Sequence, residues 1–127
     1  RFTRQRRMVL EILAQSHQAM GAYDILERFK PNPNSRTAPV TIYRALDFLI
    51  ENNLTHRLSS LNAFVACSTP HNGLDTQFLV CKKCQHVAEL STNSLHKAIH
   101  KEAESAKFTV TSPMVEIRGI CSACKKS

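Results

Sequence analysis

The sequence lacks any apolar run long enough to span a membrane, and it has no charged-then-apolar secretory start. No membrane partner is expected, disulfide stapling in an exported domain is disfavoured, and the expected compartment is the cytoplasm. The chain also has no internal repeat and no low-complexity stretch, so neither a solenoid nor a biased tract accounts for it. Nor does it open on Met: it begins at Arg1, which leaves open whether an N-terminal segment precedes it.

What is present is 127 residues, room for one ordinary domain or two small ones. Two small domains would each lie near the lower size limit for a self-sufficient core, so a metal clip would help one of them. The net charge of +7 is spread along the chain. Residues 1–66 carry 9 Lys/Arg less 5 Asp/Glu (+4), and residues 67–127 carry 8 less 5 (+3). Such a balance is compatible with nucleic-acid binding without establishing it. Of the five cysteines, four form two C-x-x-C pairs. In a chain without an export signal that pattern points to metal before disulfides.

The spacing of Met8, Leu10, Ile12 and Leu13 predicts a helix over residues 3–15. A second helix fits residues 22–30, with Tyr23, Ile25, Leu26 and Phe29 as its apolar positions, and stops at Pro31–Asn34. Pro39 suits the first turn of a third, where its missing N–H is not needed. That helix runs to about Asn53 with Ile42, Leu46, Leu49 and Ile50 inward. Residues 54–58 and 63–67 read as a hairpin. Three helices followed by a two-stranded hairpin is the order of a winged helix-turn-helix.

Residues 68–76, with Pro70 and Gly73, are the linker candidate. Beyond it, residues 78–80 and 86–90 read as paired strands around the first C-x-x-C. A helix capped by Ser91, Thr92 or Asn93 runs to about Lys107 with Leu95, Ala98, Ile99, Ala103 and Ala106 on one face. A last strand fits residues 108–120, interrupted or kept at an edge by Pro113. The expected fold is α+β: a winged-helix DNA-binding domain over 1–67, a linker over 68–76 and a small α/β dimerisation domain over 77–127 with a four-cysteine zinc site.

Cys81-x-x-Cys84 and Cys121-x-x-Cys124 carry the strongest chemistry. A two-residue gap lets both thiolates of a pair reach one tetrahedral ion, and two such knuckles close the coordination shell. Lys82, Lys83, Lys125 and Lys126 lie beside them and offset part of the negative charge. A redox C-x-x-C normally occurs once, which leaves the second pair unexplained in a thiol oxidoreductase. A closed four-sulfur site has no open position, so neither catalysis nor a small-molecule substrate is expected there.

The first half carries the DNA reading. On a recognition helix, side chains near the N-terminal half meet base edges in the major groove. Arg44 can pair with guanine, Tyr43 can reach a thymine methyl or a phosphate, and Thr41 lies on the same side. Thr3, Arg4, Gln5, Arg6, Arg7 and Arg57 suit phosphates. His56, Cys67, His71 and Glu89 remain as potential ligands. Each alone is more often structural, but one thiolate, two imidazoles and a carboxylate make a good tetrahedral zinc shell, and the soft sulfur disfavours iron or manganese. His96 and His100, four apart on a helix, read as solvated on the face opposite Leu95 and Ile99.

Thr3–Arg6, Pro39–Leu46, His56 with Cys67 and the doubled C-x-x-C together resemble the ferric uptake regulator superfamily, and within it the zinc uptake regulator branch. The likeness spans essentially the whole chain, apart from a helix that often precedes Thr3. It implies a homodimer with two Zn2+ per subunit, one structural and one regulatory. Zinc would act as corepressor, and the loaded dimer would bind AT-rich palindromic operator DNA and repress zinc-uptake genes. Tyr43 and Arg44 match the family's base-reading pair, and Cys81, Cys84, Cys121 and Cys124 its structural site. His56, Cys67 and Glu89 match three sensing ligands. Where the family often has a fourth, seven residues before the first knuckle, Leu74 stands; His71 is the substitute, with Asp75 or water as rivals. Thr76 and Phe78 replace the histidines of relatives with a further regulatory metal, so one sensing site per subunit is expected. An iron-, manganese- or peroxide-responsive regulator of the same superfamily and a zinc-ribbon interaction module are the other readings.

Overall fold

A computed structural model describes residues 1–16, 18–34, 36–67, 76–90, 93–111 and 114–126. Helix α1 (Arg4–Ala14) starts where the Thr3 hydroxyl accepts the Arg6 amide at 3.3 Å, an N-cap that satisfies one exposed donor. At α2 (Ala22–Arg28) the Gly21 amide donates to the Asp24 carboxylate at 3.2 Å. Helix α3 (Pro39–Glu51) has proline in its first turn. It ends with Asn53 in the left-handed region (φ 59°) and the Leu54 amide bonded to the Leu49 carbonyl at 2.9 Å, a Schellman closure that asparagine tolerates.

These helices bury Val9, Leu13, Ile25, Phe29, Ile42, Ala45, Leu46 and Leu49 in one cluster with Met20 and Phe64. In α1 the deepest residue is Val9, while Met8, Leu10 and Ile12 are half-buried around it. Tyr23 departs from its predicted apolar role: it is 65 % exposed. Strands β1 (Thr55–Leu58) and β2 (Ala63–Ala66) pair antiparallel, His56 opposite Val65, and complete the winged helix.

The second sheet has the order β4-β3-β5. Strand β3 (Thr76–Cys81) pairs antiparallel with β4 (Val87–Leu90) and parallel with β5 (Met114–Gly119). The α/β pattern after the linker is thus present, but the last strand is confined to six residues rather than residues 108–120. Helix α4 (Asn93–Ser105) lies between β4 and β5 in sequence. It closes on Lys107 (φ 60°), with the Phe108 amide bonded to the Ala103 carbonyl at 2.8 Å. None of its described side chains is buried. The predicted caps Ser91 and Thr92, the linker residues Pro70 and Gly73, and Pro113 lie outside the described residues. A single turn, α5 (Ser122–Lys125), follows Cys121.

The winged helix is packed against this sheet. Phe78 and Val80 share a buried cluster with Ala19, Leu58, Ala63 and Val65. Residues 18–20 act as a strap: Met20 exchanges backbone hydrogen bonds with Phe64, at 3.0 and 2.8 Å, and the Ala19 amide donates to the Gln85 carbonyl at 3.2 Å. The Gln18 side-chain amide reaches the Cys84 carbonyl at 2.9 Å. No described helix is long and apolar enough to cross a membrane.

Candidate metal centre and DNA-facing surface

Parallel pairing of β3 with β5 sets Cys81 beside Gly119. Two adjacent parallel strands finish at the same end of a sheet, so both C-x-x-C turns leave from one place. The structure brings the four sulfurs together: Cys81 to Cys124 and Cys84 to Cys121 are each 3.7 Å apart, and all four lie within 4.8 Å of one another. A disulfide needs about 2.05 Å. A tetrahedron with metal–sulfur bonds of about 2.3 Å has edges of about 3.8 Å. The spacing therefore fits a tetrahedral metal ion and no disulfide. Main-chain N–H groups, first that of Cys84 and then that of Cys121, hold the Cys81 thiol down to about 5, against an opposing effect of burial. Cys124 is pushed up to about 12, first by the Cys121 thiol and then by burial. At Cys84 the His86 amide lowers the thiol's value, but burial and the Cys81 and Cys121 thiols outweigh it and raise it. One thiolate is welcome in this cluster and four are not, unless a cation joins them; metal binding releases the remaining protons.

Two of the sensing candidates share a cleft away from the quartet. Cys67 and Glu89 line one cleft of about 250 Å3 with Leu13, Ser16, Val65 and Phe78. His56 lies on β1 with its ring 5.5 Å from that of Phe78, and its Nε2 is sealed from solvent. Among the described residues only the cysteine quartet brings three or more ligand atoms within 4.8 Å of one another. His71 and its rival Asp75 lie outside the described residues. His96 and His100 differ from the expectation of solvated side chains: both are half-buried, with ring centroids 4.3 Å apart.

On α3, Tyr43 is 44 % exposed and Arg44 is exposed beside it, whereas Thr41 is half-buried. Tyr23 lines a cleft of about 200 Å3 with Tyr43, Asp24 and Asn62. Its exposure was not legible in the sequence, because apolar periodicity counts a tyrosine on a short helix as core. Several residues matched to phosphates have partners within the protein. Thr3 caps α1. Arg4 donates to the Pro31 carbonyl at 3.2 Å, and Arg6 lies 4.1 Å over the Phe48 ring and bonds the Arg1 carbonyl. Arg57 donates to the Asn62 side chain at 2.8 Å. A guanidinium has five donors, so each arginine keeps others while being held in place.

The sequence model of the ferric uptake regulator family matches residues 1–118. The zinc uptake regulation protein of Escherichia coli (strain K12) is 31 % identical over 125 residues, 98 % of this chain and 72 % of that protein. A zinc uptake regulator complexed with zinc and DNA superposes with a TM-score of 0.87 at 30 % identity, over 99 % of this chain and 84 % of that one. Holo XcZur gives 0.85 at 33 % identity, over 100 % and 88 %; the apo form of XcZur gives 0.52 at the same identity, over 98 % and 86 %. At equal identity, the chain thus superposes better on the holo form of XcZur than on its apo form. A winged helix docked on a four-cysteine α/β unit, with matches of this breadth, has one reading: the chain belongs to the ferric uptake regulator family, whose members are transcription regulators and not enzymes, and within it is similar to the zinc uptake regulators.

Proposed function

We propose that this chain is a zinc-responsive transcriptional repressor that binds a palindromic operator as a zinc-loaded homodimer and controls zinc-uptake genes. The observation that carries the reading is the cleft that Cys67 and Glu89 both line, beside the wing strand β2 and the sheet strands β3 and β4. A ligand set drawn from His56 on β1, Cys67 after β2, His71 in the linker and Glu89 on β4 would join three parts of the chain. Its thiolate favours zinc over harder metals. Bound there, zinc supplies a crosslink and no chemistry. With the quartet, this makes two zinc ions per subunit.

Tyr43 and Arg44 on the exposed face of α3 suit base edges, with Tyr23 beside them. Thr41, the Thr3-capped start of α1 with Arg4 and Arg6, and Arg57 suit phosphates and register. Dimerisation is supported by the second unit (77–127, reached through the linker 68–76). Leu79, Ile117 and Phe108 are 41 %, 42 % and 75 % exposed there, and α4 has no buried described side chain. A small domain with this much apolar surface gains by pairing. A palindrome, AT-rich by family likeness, then requires two recognition helices about one helical turn, or a multiple of it, apart. Restricting the hinge raises the fraction of molecules with that spacing.

Zinc content and operator binding test this together. The native chain should hold two zinc ions per subunit and lose operator binding reversibly with a chelator that leaves the quartet loaded. Cys67→Ser should hold one and bind no operator at any zinc level while remaining a folded dimer. A Cys67→Ser chain with unchanged zinc sensitivity would overturn the sensing site. A native chain that binds no operator under either condition would point to a zinc-ribbon interaction module.

A further inference from the structure

The wing turn is held from outside the winged helix. Ser59 donates through Oγ to Glu116 Oε2 at 2.9 Å. Ser60 donates to Glu116 Oε1 twice, through Oγ at 2.9 Å and through its amide at 3.3 Å. Glu116 stands on β5 in register with Phe78, on the sheet face whose Phe78 and Val80 pack under Leu58, Ala63 and Val65. Both carboxylate oxygens are engaged, and by two consecutive residues of one turn.

This contact differs in kind from the apolar cluster beside it. Burial of Phe78 against Leu58 holds the units together but is non-directional, so it tolerates a change of angle. A carboxylate bonded through both oxygens to a hydroxyl pair and an amide fixes direction, and charge-assisted bonds of this type are the stronger ones. The carboxyl is held below its usual range: burial acts to raise it, but the Ser59 and Ser60 hydroxyls and the Ser60 and Ser59 amides outweigh burial. The strap from Gln18 to Cys84 secures the knuckle end, beyond the end of β3, whereas Glu116 secures mid-strand. None of Ser59, Ser60 and Glu116 belongs to the proposed sensing set.

We propose that Glu116 is a clamp on the wing turn, acting through Ser59 and Ser60 to fix the angle at which the winged helix stands on the second unit, and is thereby a positioning residue for operator binding. The operator half of this statement rests on the function proposed above. The clamp favours the docked arrangement whether or not the sensing ligands are engaged, so it sets the starting fraction of competent molecules on which zinc acts. Losing it should raise, by the same factor, the zinc needed for half-saturation of the operator.

The test uses the full chain with both zinc sites loaded, comparing native protein with Glu116→Ala, Glu116→Gln, Ser59→Ala/Ser60→Ala and the combined triple change. Hydrogen exchange of the Ser60 amide reads the clamp without DNA, and zinc content reads the fold. Glu116→Ala should speed exchange and weaken operator binding about tenfold, the size of one hydrogen bond to a charged group, with zinc content unchanged. The paired serine variant should match it, the triple variant should lose nothing further, and Glu116→Gln should fall between. Native exchange rates in Glu116→Ala, or losses from the serines and Glu116 that simply add, would overturn the clamp. Fast exchange with native operator affinity would overturn the positioning role. Should the native chain bind no operator, the proposed function fails, and the exchange data still decide the clamp.

Discussion

The two halves of this chain stay folded by different means. The winged helix encloses its own core: Val9, Ile25, Ile42 and Leu49 have no measurable exposure, and three helices and a hairpin surround them. Among the described residues of the second unit the buried hydrophobic ones are Phe78, Val80 and Cys81, and the first two face the winged helix. Its other holdfasts are four sulfurs at metal-binding distance and an apolar surface left open at Leu79 and Ile117. A small sheet that cannot bury enough area alone borrows stability from a neighbouring domain, and a metal or a second copy can add to it.

The two halves should separate most clearly at the metal. Stripping zinc from the quartet, or Cys124→Ser, should abolish fixed structure in the second unit, since structural zinc contributes on the order of 10 kcal/mol in apparent binding free energy. The winged-helix resonances should persist in the same NMR spectrum. Equal loss in both halves would mean that the first is not self-sufficient. Next in size, Leu49→Ala should cost roughly 2–5 kcal/mol in denaturant unfolding, leaving zinc content at the quartet unchanged until the winged helix itself melts.

The smallest effect lies between the halves and depends on pH. Glu116 is lower in the folded chain than its ordinary value. Its contribution is therefore fully present above the usual carboxylate range and is lost as pH falls through its lowered folded value. The stability difference between native chain and Glu116→Gln should shrink across that acidic interval in urea titrations. Arg118 on the same strand, Glu89 across Phe78, and Arg57 on the wing are common to both chains, so the difference isolates Glu116. A gap that does not change with pH would remove the carboxylate's charge from the explanation.

Much of the architecture was legible because its signals are local. Pro39 and the Asn52–Asn53 stop bound α3 within two residues, and the spacing of Ile42, Leu46 and Leu49 marked its buried face. The two-residue gaps between cysteines depend on neither strand order nor register. Other features were not legible. The parallel partner of β3, the strap from Gln18 and Ala19 to the first knuckle, the exposure of Tyr23 and the use of Arg4, Arg6 and Arg57 against other parts of the protein all involve pairings that spacing along the chain does not encode.

By itself, then, the sequence determined the order of elements, the caps of its helices and a tetrathiolate pattern, since backbone sterics, periodic burial and ligand spacing act over a few residues. Only the tertiary structure decided that both knuckles leave one end of the sheet, that Cys67 and Glu89 line one cleft, and that Ser59 and Ser60 meet Glu116 across 57 and 56 positions of chain. Contacts over such separations depend on how the cores pack, because burial of Phe78 and Val80 against the wing holds those surfaces at hydrogen-bonding distance.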